Sequence, residues 1–229
     1  MKLMKSLKKN RNEKGNTATK KIKVVEIFRT VEGEGSWVGL PVSFIRLEGC
    51  NLRCPWCDTP YSYDGKSFQE LTLEEIFNKV NAFGLKRVCI TGGEPFLTEE
   101  LPELIGVFLK EGYKVLIETN GTLWNERIKD VFSENLFIVC SPKPPSYVIN
   151  KDLIPFISEL KFVIDDTIRF ENIYREEIIQ ILNSKNIILQ PESNLTDRVE
   201  KALSIQDKLL KKGIESRVIP QCHKVLGLP

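Results

Sequence analysis

The chain has 229 residues, of which 41% are hydrophobic and 28% are charged, a composition typical of a globular domain. Nine of its 33 lysines and arginines and one of its 31 acidic residues lie in residues 1–23, so this segment carries +8 and the remainder carries −6. A domain with net negative charge argues against nucleic-acid binding, because phosphate contacts need a basic face. No apolar run reaches the roughly 18 residues that a membrane span requires.

The basic leader, residues 1–22, lacks the apolar core of a secretory signal, so we expect a cytoplasmic protein without a membrane partner. A run such as Lys8–Arg11 is more often a solvated, disordered segment than a site for RNA or another polyanion, and both interpretations stay open. We place one domain at residues 23–229 and expect no nucleic-acid partner.

Short apolar runs alternate with helical patterns along this domain. After an alternating strand at residues 23–29, six runs fit buried parallel strands: residues 41–47, 86–91, 113–119, 136–140, 159–164 and 186–190. Helices are predicted from Thr72, from Thr98, and over residues 123–131, 171–183 and 196–212. Six strand–crossover units predict an α/β fold, and the chain is too short for a closed eight-unit barrel of about 250 residues. We therefore expect a partial, open TIM-like barrel of about six parallel units.

Polar residues follow five of these six predicted strands directly. Cys50 follows the first strand, and later strands lead into Thr91–Pro95, Glu118–Gly121, Ser141–Lys143 and Gln190–Ser193. The carboxyl ends of parallel strands meet on one face of an α/β fold. The sequence therefore predicts a single site at that face.

Three of the six cysteines form the motif Cys50-x-x-x-Cys54-x-x-Cys57. A tight cysteine cluster in a chain of this type indicates metal binding rather than disulfides. Three thiolates can hold a 4Fe-4S cluster and leave one iron open for chemistry. The alternative is a zinc site completed by Cys222 or His223, since structural zinc takes four donors.

The segment GCNLRCPWCDT, residues 49–59, resembles the cysteine signature of the radical S-adenosylmethionine (SAM) superfamily. The segment TGGEP, residues 91–95, is similar to the glycine-rich SAM motif of that superfamily. Paired glycines let backbone polar groups approach the amino acid end of SAM, and Glu94 can accept from its ammonium group. The resemblance implies that SAM chelates the open iron of the 4Fe-4S cluster and is cleaved to a 5′-deoxyadenosyl radical.

Further motifs resemble the 7-carboxy-7-deazaguanine synthases, a family within that superfamily. They are FRTVEGEG at residues 28–35, Gly39-x-Pro41, Phe44-x-Arg46, Ser141–Lys143, Gln190–Pro191 and HKVLGLP at residues 223–229. The resemblance covers nearly everything after residue 23. It implies a lyase that converts 6-carboxy-5,6,7,8-tetrahydropterin to 7-carboxy-7-deazaguanine with release of ammonia, a step toward queuosine and other 7-deazapurines. No catalytic side chain is expected beyond those that bear the cofactors.

The resemblance also implies where the substrate binds. Arg46 is expected to clamp the substrate carboxylate, an interpretation that we favour over a surface ion pair. The pterin ring is expected at residues 31–34, where many relatives have Gln in place of Glu32. The expected substrate residues are Val31, Glu32, Gly33, Glu34, Arg46, Thr91 and Pro229, the last through its terminal carboxylate.

SAM and Mg²⁺ are the remaining expected ligands. The SAM residues implied by the resemblance are Gly92, Gly93, Glu94, Ser141, Pro142, Lys143, Gln190, Pro191, Glu192 and Ser193. Thr59 is expected to bind Mg²⁺, an ion that takes hard oxygen donors and keeps positions for water and substrate. Asp58 is the second choice on its charge alone. Without the resemblance, residues 58–60 would be interpreted as a turn and residues 141–145 as a rigid loop.

The family's partners are a small-molecule pterin substrate, an electron donor of the flavodoxin or ferredoxin type, and a second copy in a homodimer. One rival function is a glycyl-radical-enzyme activase, which shares the cysteine spacing but needs a groove of peptide size. Arg46 and residues 31–34 favour a small acidic substrate instead. A non-catalytic iron–sulfur carrier is the other rival, and it would leave the strand-end motifs without a role.

Overall fold

The computed structural model describes residues 20–182 and 185–228. Its strands are β1 (Lys21–Val31), β2 (Pro41–Leu47), β3 (Gln69–Thr72), β4 (Arg87–Gly92), β5 (Lys114–Thr119), β6 (Leu136–Cys140), β7 (Glu159–Ile164), β8 (Asn186–Pro191) and β9 (Arg217–Val218). Its α-helices are α1 (Leu73–Asn81), α2 (Leu101–Lys110), α3 (Phe170–Ile173), α4 (Glu176–Leu182), α5 (Thr196–Leu210) and α6 (Cys222–Leu226). Among the described residues, no helix is long and apolar enough to span a membrane.

All nine strands form one sheet in the order β3-β1-β2-β4-β5-β6-β7-β8-β9. β1 pairs antiparallel with β2 and β3, and every pair from β2 to β9 is parallel. The six predicted parallel strands are confirmed as β2 and β4 to β8, each bound within one residue of its prediction. The prediction of an open, barrel-like α/β fold is confirmed.

The helices differ from the prediction where local geometry competes with the apolar pattern. Thr98 does not begin α2, because residues 95–97 form a 3₁₀ turn and the helix starts at Leu101, with Pro102 in its first turn. Residues 126–131 form a 3₁₀ helix that the Asn125 side chain caps by accepting from Arg127 N. The predicted helix over residues 171–183 is divided near Tyr174 into α3 and α4. By contrast, Thr72 caps α1 as expected, since its Oγ1 accepts from Glu75 N.

The first strand begins before the predicted domain boundary at residue 23. Lys21 and Ile22 pair with Thr72 and Leu71 of β3, and the Ile22 side chain is buried. Because β3 was not predicted, this pairing was not visible in the sequence. Residues 1–19 of the basic leader lie outside the described residues.

The two faces of the sheet carry different side chains. One face packs against the helices in the main hydrophobic core, which includes Ile45, Ile90 and Leu160. The opposite face has a small apolar cluster made of Trp37, Val42, Phe44, Cys89, Leu116 and Val139. Alternation along each strand places Arg46, Thr91, Glu118 and Lys161 on this second face, nearer the carboxyl ends. The second face is therefore apolar at one end and charged at the other.

Candidate active site

A cavity of about 400 Å³ lies at the carboxyl ends of the parallel strands. All five strand-end motifs contribute to its wall, as the sequence predicted. The predicted residues that line it are Val31, Glu32, Gly33, Glu34, Arg46, Cys50, Cys54, Cys57, Thr59, Thr91, Gly92, Gly93, Ser141, Lys143 and Glu192. Asp58 and His223 line it as well. This arrangement brings the cysteine loop and the expected substrate residues into one space.

Five of the expected residues that the structure describes are not part of this wall. Glu94, Pro142, Gln190, Pro191 and Ser193 do not line the cavity in the described part of the chain. Pro229 lies outside the described residues, and its neighbour Leu228 lines the cavity. Gln190 is fully buried, and neither polar atom of its amide has a hydrogen-bond partner among the described residues. It pairs with Val163, which lines the cavity, so the Gln190 side chain lies on the same face of the sheet.

The three motif cysteines are free thiols of intermediate burial. Burial raises the pKa of Cys50 and of Cys54, and nearby negative charge raises both pKa values further, from Glu94 and Cys57 at Cys50 and from Cys57 and Cys50 at Cys54. A cation bound among these sulfurs would offset both effects, because it stabilises thiolates. The donor set therefore fits a metal cluster.

The donor spacing does not fit the zinc alternative. Among the described residues, the only group of three His, Cys, Asp or Glu donors within 4.8 Å of one another is Glu34, Asp58 and His223. The metal–ligand bonds of a tetrahedral zinc site are about 2.0–2.3 Å long, so its four donor atoms must all lie within that 4.8 Å limit of one another. His223 Nδ1 instead lies 3.8 Å from Glu34 Oε1, in the group that it forms with Glu34 and Asp58. A 4Fe-4S cluster, whose thiolates bind different irons, takes a wider spacing.

The cysteine loop rests directly on the glycine-rich loop after β4. Glu94 N donates to Gly49 O at 2.7 Å, and Gly93 N donates to Leu47 O at 3.2 Å. A Cβ atom on Gly93 would lie 2.0 Å from Gly49 O and 2.7 Å from Cys50 Cβ. Only glycine permits this approach of the two loops.

The Glu94 carboxylate accepts hydrogen bonds from other parts of the protein. Oε1 accepts from Phe96 N and Thr119 Oγ1, and Oε2 accepts from Asn120 N at 2.7 Å. Burial raises its pKa to about 6, although these hydrogen bonds favour the ionised form. The side chain therefore fastens the glycine-rich loop to the end of β5, and the wall beside it is formed by Gly92 and Gly93.

Two asparagines extend this fastening to the cysteine loop. Asn120 Nδ2 donates to Asn51 Oδ1 at 2.9 Å, and Asn51 Nδ2 donates to Thr122 Oγ1 at 2.8 Å. Thr122 N donates in turn to Asn120 Oδ1. The loops after β2, β4 and β5 are thus joined by side-chain hydrogen bonds.

Trp56, inside the cysteine motif, contacts the later strands. Its Nε1 donates to Asp165 Oδ2 at 2.5 Å, and Lys143 Nζ lies 5.0 Å from its ring centroid. Lys143 also donates to Ser141 Oγ at 2.8 Å. Burial lowers the pKa of Lys143, and the nearby Lys161 ammonium lowers it further. Asp165 was missed in the sequence, although it directly follows a predicted strand, which is the signal that identified the other loops.

Arg46 lies at the opposite wall of the cavity and is only 8% exposed. Its Nε donates to Glu26 Oε1 at 2.6 Å, and Tyr61 Oη donates to the same oxygen at 3.0 Å. Burial opposes the charged form, but the hydrogen bond to Glu26 and the charges of nearby groups raise the Arg46 pKa above its usual value. The guanidinium is therefore charged, and its terminal nitrogens have no hydrogen bond to a described residue.

Carboxylates and one lysine form the next part of the wall. Lys161 Nζ donates to Glu34 and to Glu118, and Gln221 Nε2 donates to Glu34 Oε1 at 3.1 Å. Glu32 is buried, its Oε1 accepts from Glu34 N, and its Oε2 has no partner among the described residues. Burial raises the pKa of Glu32 well above its usual range, and the Glu118 charge adds to this shift. Sequence reasoning missed Lys161. It stands between Leu160 and Phe162 in β7, and because side chains alternate along a strand, a lysine at this place indicates that the face opposite these two apolar residues is charged.

Known proteins resemble this chain in sequence and in fold. The model of the radical SAM superfamily matches residues 44–139. The 7-carboxy-7-deazaguanine synthase of Aquifex aeolicus is 46% identical over 206 residues, which cover 89% of this chain and 92% of that protein. The enzyme of the same name from Rickettsia prowazekii is 38% identical and covers 91% of this chain and 89% of its own length.

Solved structures support the same fold. The crystal structure of QueE from Escherichia coli matches with a TM-score of 0.69 at 24% identity, covering 88% of this chain and 95% of that one. Streptococcus suis SuiB bound to S-adenosylmethionine matches with a TM-score of 0.55 at 16% identity, over 79% of this chain and 50% of that one. From the sequence relatives together with the cysteine-lined cavity, we conclude that the chain belongs to the 7-carboxy-7-deazaguanine synthase family of radical SAM enzymes.

Proposed function

We propose that this protein is a carbon–nitrogen lyase that converts 6-carboxy-5,6,7,8-tetrahydropterin to 7-carboxy-7-deazaguanine and ammonia, in 7-deazapurine biosynthesis. The supporting observation is that one cavity of about 400 Å³ is lined by the three motif cysteines and by Arg46. A cofactor site and a cationic site for a carboxylate therefore share one volume of ligand size.

The cofactors are assigned to residues by their donor chemistry. Cys50, Cys54 and Cys57 hold the 4Fe-4S cluster, and Thr59 is the Mg²⁺ residue, with its Oγ1 3.8 Å from Cys57 Sγ. The SAM residues are those that the sequence predicted, and Glu94 acts through the loop that it fastens. The SAM residues that line the cavity are Gly92, Gly93, Ser141, Lys143 and Glu192. The other expected SAM residues lie within two positions of these lining residues in the chain. When bound, the cluster and SAM supply the radical that takes a hydrogen atom from the substrate.

The chain's own residues bind and orient the substrate. The free nitrogens of Arg46 pair with the substrate carboxylate, while Glu26 holds the guanidinium from its other side. Glu34 accepts from N–H groups of the pterin ring, and Val31, Glu32, Gly33 and Thr91 complete the wall around the ring. The carboxylate of Pro229 is proposed to accept from the same ring.

The proposal includes partners and location. A flavodoxin-like or ferredoxin-like protein supplies electrons, and the enzyme acts as a homodimer in the cytoplasm. The exposed apolar side chains of Val225, Leu226 and Leu228 give the chain end a surface that a second copy could cover. Light scattering of the purified protein tests the dimer.

Anaerobic incubation with SAM, dithionite and carboxytetrahydropterin tests the function. Mass detection of a carboxydeazaguanine is the expected result for the wild type and for the control Cys222→Ala, which removes a thiol outside the motif. Cys54→Ala should lose both cluster absorbance and SAM cleavage while keeping its circular-dichroism spectrum. SAM cleavage without any deazaguanine would favour the activase, and the absence of SAM cleavage would favour the carrier.

A further inference from the structure

Lys161 is a buried, charged residue of the cavity that has no role in the proposed function. It lies within β7, its side chain is 5% exposed, and its Nζ forms ion pairs with Glu34 and with Glu118 Oε1, the latter at 2.6 Å. All three side chains line the cavity. We infer that Lys161 is the positioning residue that holds the carboxylates of Glu34 and Glu118 side by side, so that in ionised form they accept hydrogen bonds from the substrate ring. These two carboxylates are called the acceptor floor below. This inference rests on the proposed function.

Lys161 and Glu34 each depend on the other's charge in order to stay charged. Burial favours the neutral form of Lys161, but the charges of Glu118 and Glu34 raise its pKa well above its usual value. Burial likewise disfavours ionised Glu34, but the Lys161 ammonium lowers its pKa to about 2. Without the lysine, the carboxylates of Glu34 and Glu118 would share a partly buried site beside Glu32, and the remaining basic groups that act on them would be His223, 3.8 Å from Glu34 Oε1, and the more distant Lys143. Protonation of one carboxyl group would then become more favourable.

The lysine also fixes the position of Glu34, which lies in the loop after β1. One oxygen of Glu34 accepts from Lys161 Nζ and the other accepts from Gln221 Nε2. The next residues of the loop are held by the same strand, because Ser36 N donates to Glu159 Oε2 at 3.0 Å. Thus β7 contacts the loop after β1 through two of its inward-facing side chains, Glu159 and Lys161.

The floor has a defined chemical preference. One ammonium between two carboxylates leaves a net charge of −1, and Glu32 beside them is a third carboxyl group with a raised pKa. Ionised carboxylates accept hydrogen bonds and donate none. Such a floor suits a ring edge that presents neighbouring N–H donors, as the 2-amino-4-oxo edge of a pterin does.

The test is steady-state turnover of the reconstituted holoenzyme and of Lys161→Met between pH 6 and 8.5. We expect the variant to raise the KM for carboxytetrahydropterin about tenfold or more at pH 6, where its floor is partly protonated. The ratio of the variant KM to the wild-type KM should fall toward pH 8.5. The SAM KM and the cleavage of SAM without substrate should change less than about twofold. Lys86→Met, which removes an exposed lysine bonded to Glu111 O, is the control and should behave as wild type.

A double variant separates positioning from a general loss of structure. Because Lys161 acts partly through Glu34 and partly through Glu118, its removal should cost less in a Glu34→Gln background than in the wild type, so the two effects on KM should be less than additive. A KM ratio that is constant with pH, an equal loss for SAM, or additive effects would each overturn the inference. If the wild type makes no deazaguanine, the proposed function fails and the inference fails with it. An active wild type leaves the inference to be decided by the variants.

A second variant covers the case in which Lys161→Met does not fold. Lys161→Met combined with Glu118→Gln removes the buried ammonium together with one of its partners, and Glu118→Gln alone is its reference. Glu34 then lacks its cation, so a pH-dependent rise in KM over the reference is expected. The absence of that rise overturns the inference.

Discussion

At the residue scale, charged groups in the cavity are paired with partners from distant parts of the chain. Arg46 is held by Glu26 from the neighbouring strand, and Lys161 is separated by 127 residues from Glu34. The Glu94 carboxylate accepts three hydrogen bonds from the protein, and burial raises its pKa to about 6. Arg46 and Glu34, which are proposed to contact the substrate, stay ionised at neutral pH, whereas Glu94, which supports the loops, can take up a proton in mildly acidic solution.

Arg46→Ala should weaken substrate binding selectively. Loss of a charged hydrogen-bond pair in a desolvated site costs about 2–5 kcal/mol, so the substrate KM should rise about 30-fold or more. The SAM KM should change less than about twofold, because the hydrogen bond of this guanidinium within the described residues goes to Glu26 and not to a residue of the expected SAM site. Steady-state kinetics with each ligand varied in turn measures both. Arg29→Ala, which removes an exposed arginine from β1, is the control, and equal losses for the two ligands would contradict a carboxylate clamp.

Glu34 should make the free energy of unfolding depend on pH in the acidic range. Its pKa is lowered from 4.5 to about 2 in the folded state, so its contribution is complete above pH 4.5 and is lost as the pH falls toward 2. From pH 5 to pH 3, the wild type should lose about 2 kcal/mol of unfolding free energy that Glu34→Gln does not lose. Urea unfolding at the two pH values, followed by circular dichroism, measures this difference. Parallel losses in both proteins would show that Glu34 is not the titrating group.

Some residues of the site could be predicted from the sequence, and others could not. Cys50, Thr91 and Ser141 are identified by their place after an apolar run, and strand ends converge in any parallel sheet. Lys161 lies inside such a run, and its role depends on how far the sheet curves to bring β7 against the loop after β1. That curvature is a property of packing, which no local pattern encodes.

At the element scale, the glycine-rich loop supports the cysteine loop through backbone contact. Gly93→Ala should force the two loops apart, because the added Cβ would overlap Gly49 O. We expect a loss of most iron and sulfide after reconstitution, with an α/β circular-dichroism spectrum retained. Iron and sulfide analysis per chain measures the loss.

Gly106→Ala is the matched control for that substitution. Gly106 lies in α2, where an added Cβ would meet Val131 Cγ1 at an ordinary 3.5 Å. Alanine favours a helix by about 1 kcal/mol over glycine, so this variant should keep its cluster and its stability. Full cluster occupancy in Gly93→Ala would contradict the close approach of the two loops.

The sequence predicted those elements whose pattern of apolar residues matches the burial of their side chains in the fold. The parallel strands are buried on both faces, so each is a continuous apolar run that can be identified by itself. β3 and β9 have only four and two residues and depend on a neighbour for their pairing, so no pattern marks them. Residues 126–131 have helical composition, yet they form a 3₁₀ helix between the Asn125 cap and an extended Phe132.

At the scale of the whole molecule, the loop after the first strand and the last helix meet at the cavity. Cys222 N donates to Gly33 O at 2.9 Å, and Asn194 and Gln221 exchange two hydrogen bonds. The last helix, α6, is therefore fastened both to the loop after β1 and to the loop after β8. Leu228, two residues after this helix, lines the cavity.

Extension of the chain by two glycines after Pro229 should therefore impair substrate binding. The extension moves the terminal carboxylate away from its proposed ring contact, so the substrate KM should rise about tenfold, the cost of one charged hydrogen bond. The cluster content and the SAM KM should not change. An amino-terminal extension of the same length is the control, and an unchanged substrate KM in the carboxyl-terminal variant would exclude the terminal carboxylate from the site.

The hydrogen bonds that hold the cysteine loop come from protein groups. Asn51 is bound by Asn120 and Thr122, Trp56 by Asp165, and Gly49 by Glu94. The loop is therefore fastened at three separate points, to the ends of β4, β5 and β7. A substitution far along the chain, such as one at Asp165, can for this reason alter the spacing of the motif cysteines without touching any of them.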